Sequence, residues 1–185
     1  MDALAVLRSR VDTSDLPPLH RFVAERVALT TADVGWIGDL VCVEEELRAV
    51  DVASAPLITD VRMLAEAVAP HPAIVGLAQP GVAELAAAEG ITRSAAGIRL
   101  AAERFPDGAV WAVGNAPTAL FEILRLASSG QLRPSLVIGV PVGFVGAADS
   151  KAALRRSGLP AVSTRSERGG AAIAAAVIHA LVDFH

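Results

Sequence analysis

The pattern of apolar and polar positions changes character along the chain. Residues 17–31 carry Leu19, Phe22, Val23, Arg26 and Val27 at helical spacing behind Pro17 and Pro18, which suit a first turn, and the spacing predicts a helix there. Beyond it, residues 57–60, 73–78, 109–114, 135–139 and 161–164 are short, mostly apolar runs. Each is closed by polar or glycine punctuation and followed by a helical stretch. A repeated strand-then-helix order predicts an α/β fold with a mainly parallel sheet and helices on both faces, because a parallel crossover usually runs through a helix. The expectation is one Rossmann-like domain over residues 1–185, with an irregular start over about 1–16. The alanine-rich stretches "AELAAAEG" and "GGAAIAAAVIHALV" are strong helix formers that allow close packing, including at a subunit contact.

Composition narrows the classes. A chain of 185 residues that is 53% hydrophobic can bury one sizeable core. Its apolar stretches are too short or too rich in small residues to span a bilayer, and the N-terminus lacks a basic-then-apolar leader pattern, so a soluble, cytoplasmic protein without membrane partners is expected. Cys42 stands alone and the four histidines are dispersed, so no metal site is expected. A formal charge of −4, with no basic stripe interleaved with aromatics, argues against nucleic acid.

In open parallel sheets ligands bind beyond the carboxyl ends of the strands. Four segments of unusual sequence fall there. Asp60 follows the strand at 57. Thr92, Arg93 and Ser94 open a helix in "GITRSAAGIR". Asn115 and Thr118 lie in "GNAPTAL", where Asn115 is expected to cap a helix whose first turn holds Pro117. Gly139, Gly143 and Gly146 punctuate "VIGVPVGFVGAADSK". Their spacing is neither a dinucleotide fingerprint nor a phosphate loop, since Lys151 comes too late. On spacing alone they serve close packing as well as they serve a ligand. Asp60 either orients a site group or caps the helix starting near Val61. Lys151 is expected as a solvated helix residue, Ser150 has no histidine partner in view, and Trp36 and Trp111 are expected to fill the core.

The longer strings "GITRSAAG", "AVGNAPTALFEIL", "VIGVPVGFVGAADSKAAL" and "RSERGGAAIAAAVIHAL" resemble, in this order, the precorrin-8X methylmutases of cobalamin biosynthesis. The resemblance runs from about Leu57 to Val182 and more weakly back to Val23. It implies a homodimeric α/β isomerase that moves a methyl group between neighbouring ring carbons of a corrin precursor, metal-free or cobalt-bearing, without an organic cofactor. A large, flat tetrapyrrole with carboxylate arms calls for apolar surface and scattered anion contacts. On this resemblance Asp60, Thr92, Arg93, Ser94, Asn115, Thr118, Gly139, Gly143 and Gly146 are the expected substrate-binding residues, with the glycine backbone approaching the macrocycle or its arms. Arg165 and Arg168 lie where the family is arginine-rich, but Ser166 and Glu167 break its usual order.

The family's proton-donating histidine falls on Leu29, within "RVALTTAD". Leucine exchanges no proton. His20, nine residues earlier, is roughly 13 Å away along a helix axis. Three readings stay open: an isomerase whose proton comes from His20, Asp60 or water; a carrier or partner protein that binds a corrinoid intermediate or product without turnover; and, more remotely, a nucleotide-binding module.

Overall fold

The structure is a computed structural model and describes residues 2–42, 47 and 50–184. The helix expected at 17–31 is α2, Pro18–Thr31, preceded by α1, Ala3–Arg10, and followed by the short α3, Trp36–Asp39. After it come β1 (Leu40–Cys42), β2 (Leu57–Thr59), α4 (Arg62–Ala67) and β3 (Ala73–Val75). A 3₁₀ turn at Gly76–Ala78 leads to α5 (Val82–Glu89), α6 (Arg93–Arg104), β4 (Val110–Val113) and α7 (Pro117–Ser128). The chain closes with β5 (Leu136–Gly139), α8 (Ala147–Arg156), β6 (Ala161–Thr164) and α9 (Ala171–Phe184).

The six described strands form one sheet in the order β1-β6-β5-β4-β2-β3. All five strands read from the sequence are present and pair in parallel. Side chains alternate between two faces, as a pleated strand requires. Leu57, Val110, Ala112, Leu136, Ile138 and Val162 join one apolar core, with α2 and α9. Ile58, Trp111, Val113, Val137 and Ala161 join a second, with residues of α6, α7 and α8. Burial on both faces explains why these strands read as unbroken apolar runs.

Three details depart from expectation. The run at 73–78 ends as a strand at Val75, because the backbone at Gly76 turns to pack on α6: a Cβ on Gly97 would lie 2.6 Å from the Gly76 carbonyl oxygen. The sheet gains β1, antiparallel to β6 with Leu40 opposite Thr164, which three residues of weak pattern did not announce. Residues 3–10 are helical rather than irregular. Asp2 caps α1, and Arg8 of α1 reaches the buried Glu25 of α2 with two bonds of 2.8 and 2.9 Å, while Thr13 donates a third of 2.6 Å.

Burial pushes the Glu25 carboxyl up, but the bonds from Arg8 and Thr13 and the charge on Arg8 outweigh it and hold the group below its ordinary value. Glu25→Gln is therefore expected to destabilise the protein by about 1–3 kcal/mol at neutral pH, leaving the Arg8 end of α1 unanchored. The native carboxyl releases its proton at lower pH than the unfolded one. Its contribution is thus present above the unfolded pKa near 4.5 and fades as pH falls below it. Urea unfolding of both proteins at pH 7 and pH 3 checks this, and a gap that does not shrink at pH 3 would contradict it.

Candidate functional site

Taken in chain order, the parallel strands run 2-1-3-4-5 across the sheet. This doubly wound order reverses between β2 and β4, and a crevice opens at such a reversal beyond the strands' carboxyl ends. Asp60 stands there, leaving β2. Its carboxylate accepts from the amides of Gly114 (3.2 Å), Asn115 (2.8 Å) and Ala116 (3.0 Å), the segment linking β4 to α7. Asp60 thus braces the neighbouring strand's loop across the crevice. No side-chain bond caps α4, and α7 is capped by Ala116 rather than by the Asn115 side chain, which overturns the expected Asn115 cap. Asp60 is buried, and burial raises its carboxyl above the ordinary value, against the downward pull of the amides.

The first turns of α6, α7 and α8 lie side by side along this edge. Thr92 caps α6 by accepting from the Ala95 amide, and its hydroxyl donates to Thr118 Oγ1 of α7 at 2.8 Å. Arg93 is exposed and Ser94 half-buried beside it. On the other flank, a Cβ on Gly146 would sit 3.6 Å from Pro117 and 3.8 Å from Phe121 of α7. Gly146 opens α8 at a φ of 75°, which a side chain would strain. Gly143, at a φ of 141°, has open space around it. Gly139 departs from the expectation of a ligand-facing glycine. It lies buried in β5, where a Cβ would come within 2.5 Å of Leu154 and 3.0 Å of Leu120, so its bareness serves the packing of α7 and α8.

The glycine loop is fastened to the segment between β6 and α9. Gly143 donates its amide to Glu167 and Gly170 donates to Val140, at 3.1 and 2.9 Å. At Gly169 a Cβ would fall 2.1 Å from the Val140 carbonyl oxygen. The Arg165 and Ser166 amides and the Ser166 hydroxyl all bond Asp39. Arg168 pairs with Asp33 and lies 4.0 Å over the Trp36 ring, so its cation is held by the segment after α2 rather than offered to an anion.

The residue that sequence reasoning misjudged is Lys151. It is fully buried, and its Nζ donates to Thr164 Oγ1 (2.9 Å) and to the Arg168 carbonyl (2.8 Å), joining α8, β6 and the Arg168 segment. The signal was present: Ala147, Ser150, Lys151 and Leu154 share the inward helical face. Burial pushes its ammonium down to about 8. Ser150 is buried too and its hydroxyl bonds Ala147, which leaves it no nucleophile's role. His20 Nε2 lies 3.1 Å from the Leu40 carbonyl. Leu29 is 38% exposed on α2 and lines a groove of about 470 Å³ with Leu4, Phe22 and Arg26. Among the described residues no group of His, Cys, Asp or Glu is placed to hold a metal ion, and no helix is long and apolar enough to cross a membrane.

The family model for precorrin-8X methylmutase matches residues 1–184. The cobalt-precorrin-8 methylmutase of Methanocaldococcus jannaschii is 39% identical, over 88% of this chain and 78% of the relative. The precorrin-8X methylmutase of a Sinorhizobium species is 36% identical, over 97% and 90%. Among solved structures, the precorrin-8X methylmutase of Thermus thermophilus superposes with a TM-score of 0.86 at 30% identity, over 98% of this chain and 92% of that one.

The buried lysine yields a signed prediction. Lys151→Met is expected to fold, because Thr164 Oγ1 still donates to the Arg168 carbonyl without it. Between pH 8 and 10.5 the unfolded lysine holds a proton that the native one has lost. Native stability relative to the Met variant therefore rises across that window, by up to about 3 kcal/mol. Neutral lysine keeps two N–H donors, enough for both bonds. Denaturant unfolding at pH 7.5, 9 and 10 measures the difference, and a flat profile would show that the amine does not resist ionisation.

Proposed function

Because the chain belongs to the precorrin-8X methylmutase family, we propose that it is the isomerase of that step in cobalamin biosynthesis, shifting a methyl group between adjacent ring carbons of precorrin-8X or its cobalt form to give hydrogenobyrinate or the cobalt equivalent. One observation carries the reading. Four family-like strings, far apart in sequence, each hold a junction where a helix begins at the carboxyl edge of the sheet: Thr92–Arg93, Ala116–Pro117, Gly146–Ala147 and Gly170–Ala171. The positive start of α6, with no acidic residue in its first turn, and Arg93 suit the carboxylate arms of a corrin precursor.

The shift is intramolecular, so the protein adds no atoms. Its work is to orient the macrocycle and steer the conjugated system into a reactive tautomer by moving a proton. Asp60 and Lys151 hold the loops that would frame the substrate. Thr92, Arg93, Ser94, Asn115 and Thr118 supply the polar contacts, with Gly143 and Gly146 admitting the macrocycle's edge. Leu29 stands where the family's proton donor belongs, so the proton comes from solvent or from another side chain, and turnover is slow. The same reading carries a homodimer in the cytoplasm. Neither nucleic acid nor membrane enters it, in keeping with the net charge of −4.

Anaerobic incubation of the protein with precorrin-8X, followed by the visible spectrum and by mass analysis of the extracted pigment, tests the assignment. Protein-dependent formation of hydrogenobyrinic acid is expected. Recovery of unchanged pigment from a tight complex would replace the isomerase with a corrinoid carrier. Leu29→His, at a half-exposed helix position that tolerates an imidazole, is expected to raise the rate about 10²- to 10⁴-fold. A folded variant with no gain would remove Leu29 from the proton path.

A further inference from the structure

The tip of the glycine loop is apolar and wholly exposed. Phe144 keeps 99% of its surface and Val145 keeps 89%, with Val142 and Phe121 beside them at 46% and 42%. This exposure is not slack. Gly143 is bonded to Glu167 just before the tip, Gly146 packs on Pro117 just after it, and Lys151 anchors the helix that follows. A large aromatic side chain held out of its own core from so fastened a base presents a surface to something else.

We infer that the Val142–Val145 tip, with Phe121, is an apolar platform for one face of the corrin macrocycle, an inference that rests on the proposed function. The charges around it fit a flat apolar ligand edged with carboxylates. The first turn of α8, directly under the tip, carries Asp149 and turns anions away. The first turns of α6 and α7 carry no acidic residue, and α6 begins with the exposed Arg93. Because Asp60 already takes the amides ahead of α7, carboxylate arms are thereby drawn toward Arg93 and the start of α6 while the ring lies over Phe144. Phe144 and Val145 stand almost wholly in solvent, which suits a broad ring and not a small molecule that must be enclosed.

Hydrogenobyrinic acid is the probe. The double variant Phe144→Ser, Val145→Ser is expected to fold like the wild type and to bind it about 10- to 100-fold more weakly. Phe144→Trp places a new indole at the tip, whose added emission is expected to be quenched by the bound pigment. Equal affinity in the double variant, or an unquenched tip indole in a complex that forms, overturns the platform while leaving the proposed function intact. If the wild type binds no tetrapyrrole, the proposed function falls and the platform with it. Sedimentation of the double variant at half the wild-type mass would assign the tip to a second copy of the chain and overturn the inference in that direction.

Discussion

Two glycines with no room for a methyl group hold the carboxyl edge of the sheet together. A Cβ on Gly114 would lie 2.8 Å from the Ala171 Cα, and one on Gly169 would lie 2.1 Å from the Val140 carbonyl oxygen. The start of α9 therefore presses against the end of β4, and the segment before α9 lies on the end of β5. Close backbone approach of this kind buries amides and carbonyls that need partners. Polar side chains, buried at Asp60 and Lys151 and half-buried at Asp39, sit where that need arises. Asp60 takes three amides from the β4–α7 link, Lys151 takes the Arg168 carbonyl, and Asp39 takes the Arg165 and Ser166 amides. Remove the close approach and these charges have no reason to be where they are.

The core strands were legible because each is covered on both faces, so their apolar runs are continuous and end sharply at polar punctuation. What the sequence hid is what tertiary contact decides. Residues 3–10 contain no strong apolar stripe, and what holds them is Leu7 reaching the core together with the pairing of Arg8 with the buried Glu25, contacts that periodicity does not encode. The third residue of the short β1, Cys42, precedes an acidic run, and β1 is a strand because β6 offers it an antiparallel edge.

The candidate site was legible in place and less so in role. The carboxyl-end rule located Asp60, Asn115, Thr92 and Gly146 correctly along one edge, but it assigned them to a ligand without asking what the loops themselves required. Asn115 contributes its backbone, not its side chain, to the brace. Gly139 is bare for the sake of Leu154 and Leu120. Lys151 looked like a surface cation because lysine usually is one, although its helical face placed it inward with Leu154.

This division separates the frame from the chemistry. Asp60 holds the Gly114 amide, Gly114 abuts the start of α9, and Lys151 and Gly169 fix the segment before α9 on α8, β6 and the end of β5, so a change at any of them disturbs the shape of the edge. Leu29 belongs to no such network. It projects from α2 into an open groove, a turn before the segment where Asp33 and Trp36 hold Arg168. A side chain there can gain or lose an imidazole at little cost to folding. The shape of the edge and the identity of residue 29 are physically independent, so either can change without the other.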